Sequence, residues 1–136
     1  HRRYSDNPKR VITMQDPLVS HWGAQDRFQA HFIVKIDSPE PSKYVARTIL
    51  KTSGYFGGKK IESISWNGGL LASKLNEDSE LNALIAKQSI KDATIFVDPS
   101  FNGVRIYSKW KNSFEFHITD EMYAIYNKIA EHIKNL

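Results

Sequence analysis

Residues 28–36 place Phe28, Ala30, Phe32, Val34 and Ile36 on one side of a period-two pattern and Gln29, His31, Ile33 and Lys35 on the other. Successive strand side chains point to opposite faces, so this segment reads as a strand with one buried and one largely polar face. At the far end of the chain, Met122, Ile125, Tyr126, Ile129, Ile133 and Leu136 recur at helical spacing. Thr119 is a suitable N-cap for that helix, with Asp120 and Glu121 in its first turn. A one-sided strand and a one-sided helix each need apolar cover. The continuous apolar run of a buried parallel strand appears nowhere, so the pattern points to an antiparallel sheet with helices on one face. It points away from a doubly wound nucleotide fold.

The remaining elements fill in an α+β order. Residues 1–25 carry Pro8, Pro17 and Gly23 without a sustained period, and read as a basic N-terminal arm with a short strand at 10–14. Residues 26–136 then form a single α+β domain. Asp37, Ser38, Pro39 and Pro41 stop the first clear strand, and Ser42 caps a helix with Val45, Thr48, Ile49 and Thr52 on one stripe, ended by Gly54. Residues 61–66 and 70–75 flank Asn67-Gly68-Gly69. A type I′ turn needs positive φ at both central residues, so this spacing predicts a hairpin. Asp78 or Ser79 caps a short helix within 76–88 that carries Leu81, Leu84 and Ile85. Strands at 93–97, 104–110 and 114–118, with turns at 98–103 and 112–113, read as a meander. The expected order is β-α-β-β-α-β-β-β-α, with a sheet of about five to six strands.

Composition narrows the chemistry. The chain has 136 residues, enough for one domain with a real core. Without cysteine it has no disulfide, no thiol nucleophile and no Cys-based metal site. Four of the 19 basic side chains (Arg2, Arg3, Lys9 and Arg10) lie in the first ten residues, against one of the 15 acidic ones, Asp6. The pI of about 9.3 therefore describes mainly a tail, and a polyanion partner does not follow from it. No window holds the ~18 apolar residues of a membrane span, and no signal-peptide core is present, so the expectation is a cytoplasmic chain without membrane insertion. The basic tail also suits the cytoplasmic flank of a membrane helix in a longer protein.

On residues 104–110, straight alternation sends Val104, Ile106, Ser108 and Trp110 inward and Arg105, Tyr107 and Lys109 outward, with Lys111 beyond them. Interleaved basic and aromatic groups suit single-stranded nucleic acid, because tyrosine stacks on bases while Arg and Lys neutralise phosphates. A plain solvated sheet face has the same pattern. His31, Lys35, Glu115 and His117 would join this surface if their strands are neighbours. Gly54, Gly57 and Gly58 bound a loop that offers Lys59 and Lys60 as cations and Tyr55 and Phe56 as aromatic contacts. Its glycines match neither GxGxxG nor a P-loop. The run Ser108-Lys109-Trp110-Lys111 is a literal SxxK, but alternation puts Ser108 and Lys111 on opposite faces and no SDN or KTG accompanies it. His31 and His117 with Asp98 or Glu115 form the only candidate metal set.

The leading expectation is a non-enzymatic binding or regulatory domain. Its binding residues are Arg105, Tyr107, Lys109, Lys111, Lys59, Lys60, Tyr55 and Phe56, and its partner is a single-stranded nucleic acid or a partner protein. A sensor or interaction domain of a larger, membrane-anchored protein is the first alternative, and a small metal-dependent enzyme is the second. No catalytic residue, cofactor or metal is assigned.

Overall fold

The computed structural model describes residues 9–20, 23–54, 58–112 and 117–136. The elements in chain order are β1 (Lys9–Ser20), β2 (Gly23–Lys35), α1 (Pro41–Tyr44), β3 (Ala46–Ser53), β4 (Lys60–Gly68) and α2 (Leu70–Asn76). There follow α3 (Ser79–Ala86), α4 (Ile90–Ala93), β5 (Ile95–Ser100), β6 (Gly103–Ser108), β7 (Lys111–Asn112) and α5 (Asp120–Lys134). Six strands lie side by side as β1-β2-β6-β5-β3-β4, all antiparallel, and the two-residue β7 also pairs with β2. The class is the expected α+β, with helices on one face. Among the described residues no helix is long and apolar enough to cross a membrane.

The helix-covered face forms the core. Phe32 and Val34 of β2, Ile95 and Val97 of β5, and Val104 and Ile106 of β6 are buried against Ile125, Ile129 and Ile133 of α5, with Leu71 and Leu75 of α2 and Leu81 and Ile85 of α3. The Phe32 ring meets Tyr126 edge-on at 5.8 Å. Thr119 caps α5 as its sequence suggests, its Oγ1 accepting from Met122 N at 3.1 Å. Asp78 caps α3 by accepting from Leu81 N at 3.0 Å and also binds His132 Nε2 at 2.8 Å, which ties α3 to α5. Burial pushes the Asp78 carboxyl up, but His132, the Leu81 N–H and the Lys128 charge together outweigh it and hold the group below its ordinary value.

Two expected elements change type. The helix expected from Ser42 onward is one turn, α1, followed by strand β3. Ala46 and Thr48 point inward there while Arg47, Ile49 and Lys51 point outward, so the true period is two. A polar residue at a core position hides that period. Thr48 is buried because its Oγ1 donates to Ala93 O at 2.7 Å and accepts from Ile95 N at 2.9 Å, doing in part the work of a strand backbone at the start of β5. The predicted Asn67-Gly68 hairpin is also absent, since β4 runs into helix α2. Gly68 has φ +150, and a Cβ there would sit 2.2 Å from Val45 O, while one on Gly69 would sit 1.7 Å from Ser42 O. Both glycines serve close backbone approach to the α1–β3 corner, and Leu71, Ala72 and Leu75 bury a helical stripe beyond them.

Smaller differences come from the pairing. The strand expected at 10–14 extends over Lys9–Ser20. The turn expected at 98–103 shrinks to Phe101 and Asn102, because Ser100 already pairs with Gly103. Asn112, expected in a turn, belongs to β7 and pairs with Arg27 of β2; Ser113 of that turn and residues 114–116 of the expected third meander strand lie outside the described residues, and His117 and Ile118 are not in a strand.

One irregularity decides which way the residues after β6 face. Along β2, positions 28 and 31 are three apart, but their partners Lys111 and Tyr107 are four apart, so β6 and β7 carry one extra residue between them. An extra residue in one strand is a β-bulge, and it reverses the face of everything beyond it.

Candidate functional site

The register assembles a single line of side chains across the uncovered face. His31 of β2 pairs with Tyr107 of β6, Tyr107 with Phe96 of β5, Phe96 with Arg47 of β3, and Arg47 with Asn67 of β4. The His31 and Tyr107 rings are parallel within 9°, with centroids 4.9 Å apart, and Phe96 stacks on Tyr107 at 5.5 Å and 29°. Exposure rises along the line. His31 is buried, Tyr107 and Phe96 are half-buried, and Arg47 and Asn67 are exposed.

The buried end is tightly bonded. Gln29 Nε2 donates to Ser108 O at 2.7 Å, so its Oε1 is the atom that faces His31 Nε2 at 2.6 Å. His31 Nε2 must then carry the proton, which leaves Nδ1 as the acceptor nitrogen. Burial lowers the His31 pKa, the Arg105 charge lowers it further, and Asp98 opposes both, so the ring is uncharged at neutral pH. The Tyr107 hydroxyl donates to Asp98 Oδ2. Burial and this acid push the Tyr107 pKa to about 12, with Arg105 acting the other way. The Arg105 guanidinium lies 5.6 Å from the Tyr107 ring centroid, and its buried Nε has no hydrogen-bond partner among the described residues.

The bulge produces a second polar cluster, on the helix side. Reversed by the extra residue, Lys111 turns under the sheet, where its ammonium donates to Asp92 of α4. Its side chain is 10 % exposed and that of Asp92 17 %. Ser108 hydrogen-bonds Tyr126, whose pKa burial pushes to about 12. A small, solvent-open cleft lies among Gln29, Ser108, Lys109, Lys111, His117 and Tyr126. Ser108 and Lys111 thus line the same cleft, which straight alternation does not predict. An ammonium donating to a carboxylate has no lone pair with which to take a serine proton, so their proximity does not make a nucleophile and base.

The sequence-predicted residues separate into groups. Arg105 and Tyr107 lie together on the uncovered face, with His31 and Lys35 beside them as expected. Lys111 does not join them, because the bulge turns it to the helix side. Lys109 is exposed beyond the end of β6 on the rim of the cleft, as is His117. Lys59 and Lys60 are exposed at the outer edge, where Lys60 pairs with Ser53, seven residues along β4 from Asn67 and so about 23 Å from the aromatic line. Tyr55, Phe56 and Glu115 lie outside the described residues. Among the described residues no group of three or more metal-ligating side chains is gathered.

Phe96 and Arg47 are the residues that sequence reasoning missed. Phe96 carried a signal, since Ala93, Ile95 and Val97 face inward and an aromatic between them must face out. Arg47 carried none while its segment was read as helix. Set against protein-family models, curated proteins and solved structures, the chain has no significant match in any of the three.

Proposed function

We propose that this chain is a non-catalytic binding domain whose uncovered sheet face takes single-stranded nucleic acid. The observation that carries the reading is the in-register line His31-Tyr107-Phe96-Arg47, which joins a stack of rings to an exposed guanidinium. Among the residues of β2, β6, β5 and β3 whose side chains are described, that face also carries Lys35, Lys51 and Arg105 against one acid, Asp98. Aromatic rings stack on bases of any sequence for about 1–3 kcal/mol each, and the cations neutralise phosphates. Such an excess of positive charge on one face attracts a polyanion, whereas the tail-dominated pI supplies no geometry.

Fluorescence anisotropy of a labelled oligonucleotide decamer at about 50 mM salt tests it. Binding should weaken steeply as salt rises, and Arg47→Ala with Lys51→Ala should reduce the dependence by about 0.7 per phosphate lost. A wild-type protein that binds no decamer at low salt would overturn the reading.

A further inference from the structure

We infer that base contact on this face occurs in one slot, between the Phe96 ring and the Arg47 guanidinium, that accepts a single nucleobase. The inference rests on the nucleic-acid reading of this face and narrows it to one platform. Tyr107 has His31 on one side and Phe96 on the other, at 4.9 and 5.5 Å between centroids, so neither side of its ring is free for a base. Its hydroxyl is already committed to Asp98, and Arg105 lies beside its ring. His31 is buried and held by Gln29. Among the described residues, no ring stacks on the side of Phe96 that faces β3, and no guanidinium or ammonium lies over it.

The next residue across the sheet is Arg47, which is exposed and has no ion-pair or ring partner among the described residues. Its surroundings are open as well, with Ile49 44 % exposed and Ser65 and Asn67 exposed on the neighbouring strand. A base lies about 3.5 Å from a stacked ring, and a guanidinium plane about 3.5 Å beyond it. The sandwich is therefore about 7 Å deep, or one and a half strand spacings, a distance that an arginine rooted on the adjacent strand spans. The rings behind Phe96 form a rigid column for this slot, preorganised by contacts made in the absence of ligand. Lys51 lies on the same face of β3, four residues from Arg47 and so about 13 Å along the strand, where it meets a phosphate flanking the clamped nucleotide.

The test separates this slot from the broader reading. Against a deoxythymidine decamer, Phe96→Leu keeps apolar volume but loses the flat ring, and should weaken binding about tenfold. Arg47→Lys keeps the charge but loses the plane, and should weaken binding about fivefold with the salt dependence unchanged. Lys51→Ala should instead lower the salt slope by about 0.7. Uridine monophosphate should compete, far more weakly than the decamer. If the wild type binds the decamer and both Phe96→Leu and Arg47→Lys bind equally well, the slot is wrong and the broader reading stands. If no decamer binds, the broader reading fails. If the mononucleotide binds as tightly as the decamer, the slot holds a free nucleotide and the nucleic-acid reading is overturned. Should Phe96→Leu fail to fold, Arg47→Lys at an exposed position decides alone.

Discussion

On the helix-covered face of the sheet, Phe32, Val34, Val97, Val104 and Ile106 are at most 1 % exposed, whereas on the other face His31, Tyr107 and Phe96 meet ring against ring with hydrogen bonds at the margins. The first arrangement depends on volume. It is not directional, and removing atoms from it leaves a cavity that the surroundings fill only in part. The second depends on aim, because a handful of groups face each other through a register that a one-residue slip would destroy. A chain can thus keep its fold through one face while leaving the other to contact a partner.

The sharpest way to break this contrast is to remove volume from the covered face. Phe32→Ala deletes a ring that touches Tyr123 and Tyr126 from the C-terminal half of β2, and should cost about 3–5 kcal/mol in urea unfolding followed by tryptophan fluorescence. A cost below about 1 kcal/mol would show that the helices settle into the gap, and that the core tolerates more than its burial implies.

The Asp92 and Lys111 pair is a polar exception on that same face. Asp92→Asn leaves a nearly buried ammonium without its countercharge, and should cost about 2 kcal/mol once the residual solvent contact of both groups is allowed for. Adding Lys111→Met should restore most of the loss, since removing both charges relieves the imbalance that removing one creates. If the double variant is no more stable than Asp92→Asn, the pair contributes more than mutual neutralisation, and the bulge that turns Lys111 inward is itself held by it.

These two faces also differ in how far the sequence discloses them. β2 and α5 were legible because each has one apolar and one polar face, so a period alone identifies them. The strand β3 was not, because Thr48 occupies a core position through hydrogen bonds to β5, a long-range contact that no local pattern records. Asn67-Gly68 misled for a related reason, since glycine serves a tight turn and a close backbone approach equally well and only the neighbour decides. For the site, Arg105 and Tyr107 follow from alternation. Lys111 does not, because the bulge between β6 and β7 exists only in the pairing with β2.

The smallest expected effect probes the uncovered face by pH. The His31 pKa is lowered in the folded protein, first by burial and then by Arg105, with Asp98 opposing. Between that lowered value and the ordinary 6.5, the unfolded chain binds a proton that the folded chain refuses, so stability rises with pH across this window and falls as pH drops below 6.5. Urea unfolding at about pH 7.5 and about pH 5, compared between wild type and His31→Gln, isolates the contribution from the carboxylates that both proteins share. The wild type should lose more stability than the variant on acidification, by less than the Asp92→Asn effect. Equal losses would mean that His31 accepts a proton at Nδ1 in place while Nε2 keeps its bond to Gln29, and that the buried end of the ring stack tolerates a charge that its burial argues against. A wild type that gains stability on acidification would reverse the sign and show that Asp98 outweighs burial and Arg105 together.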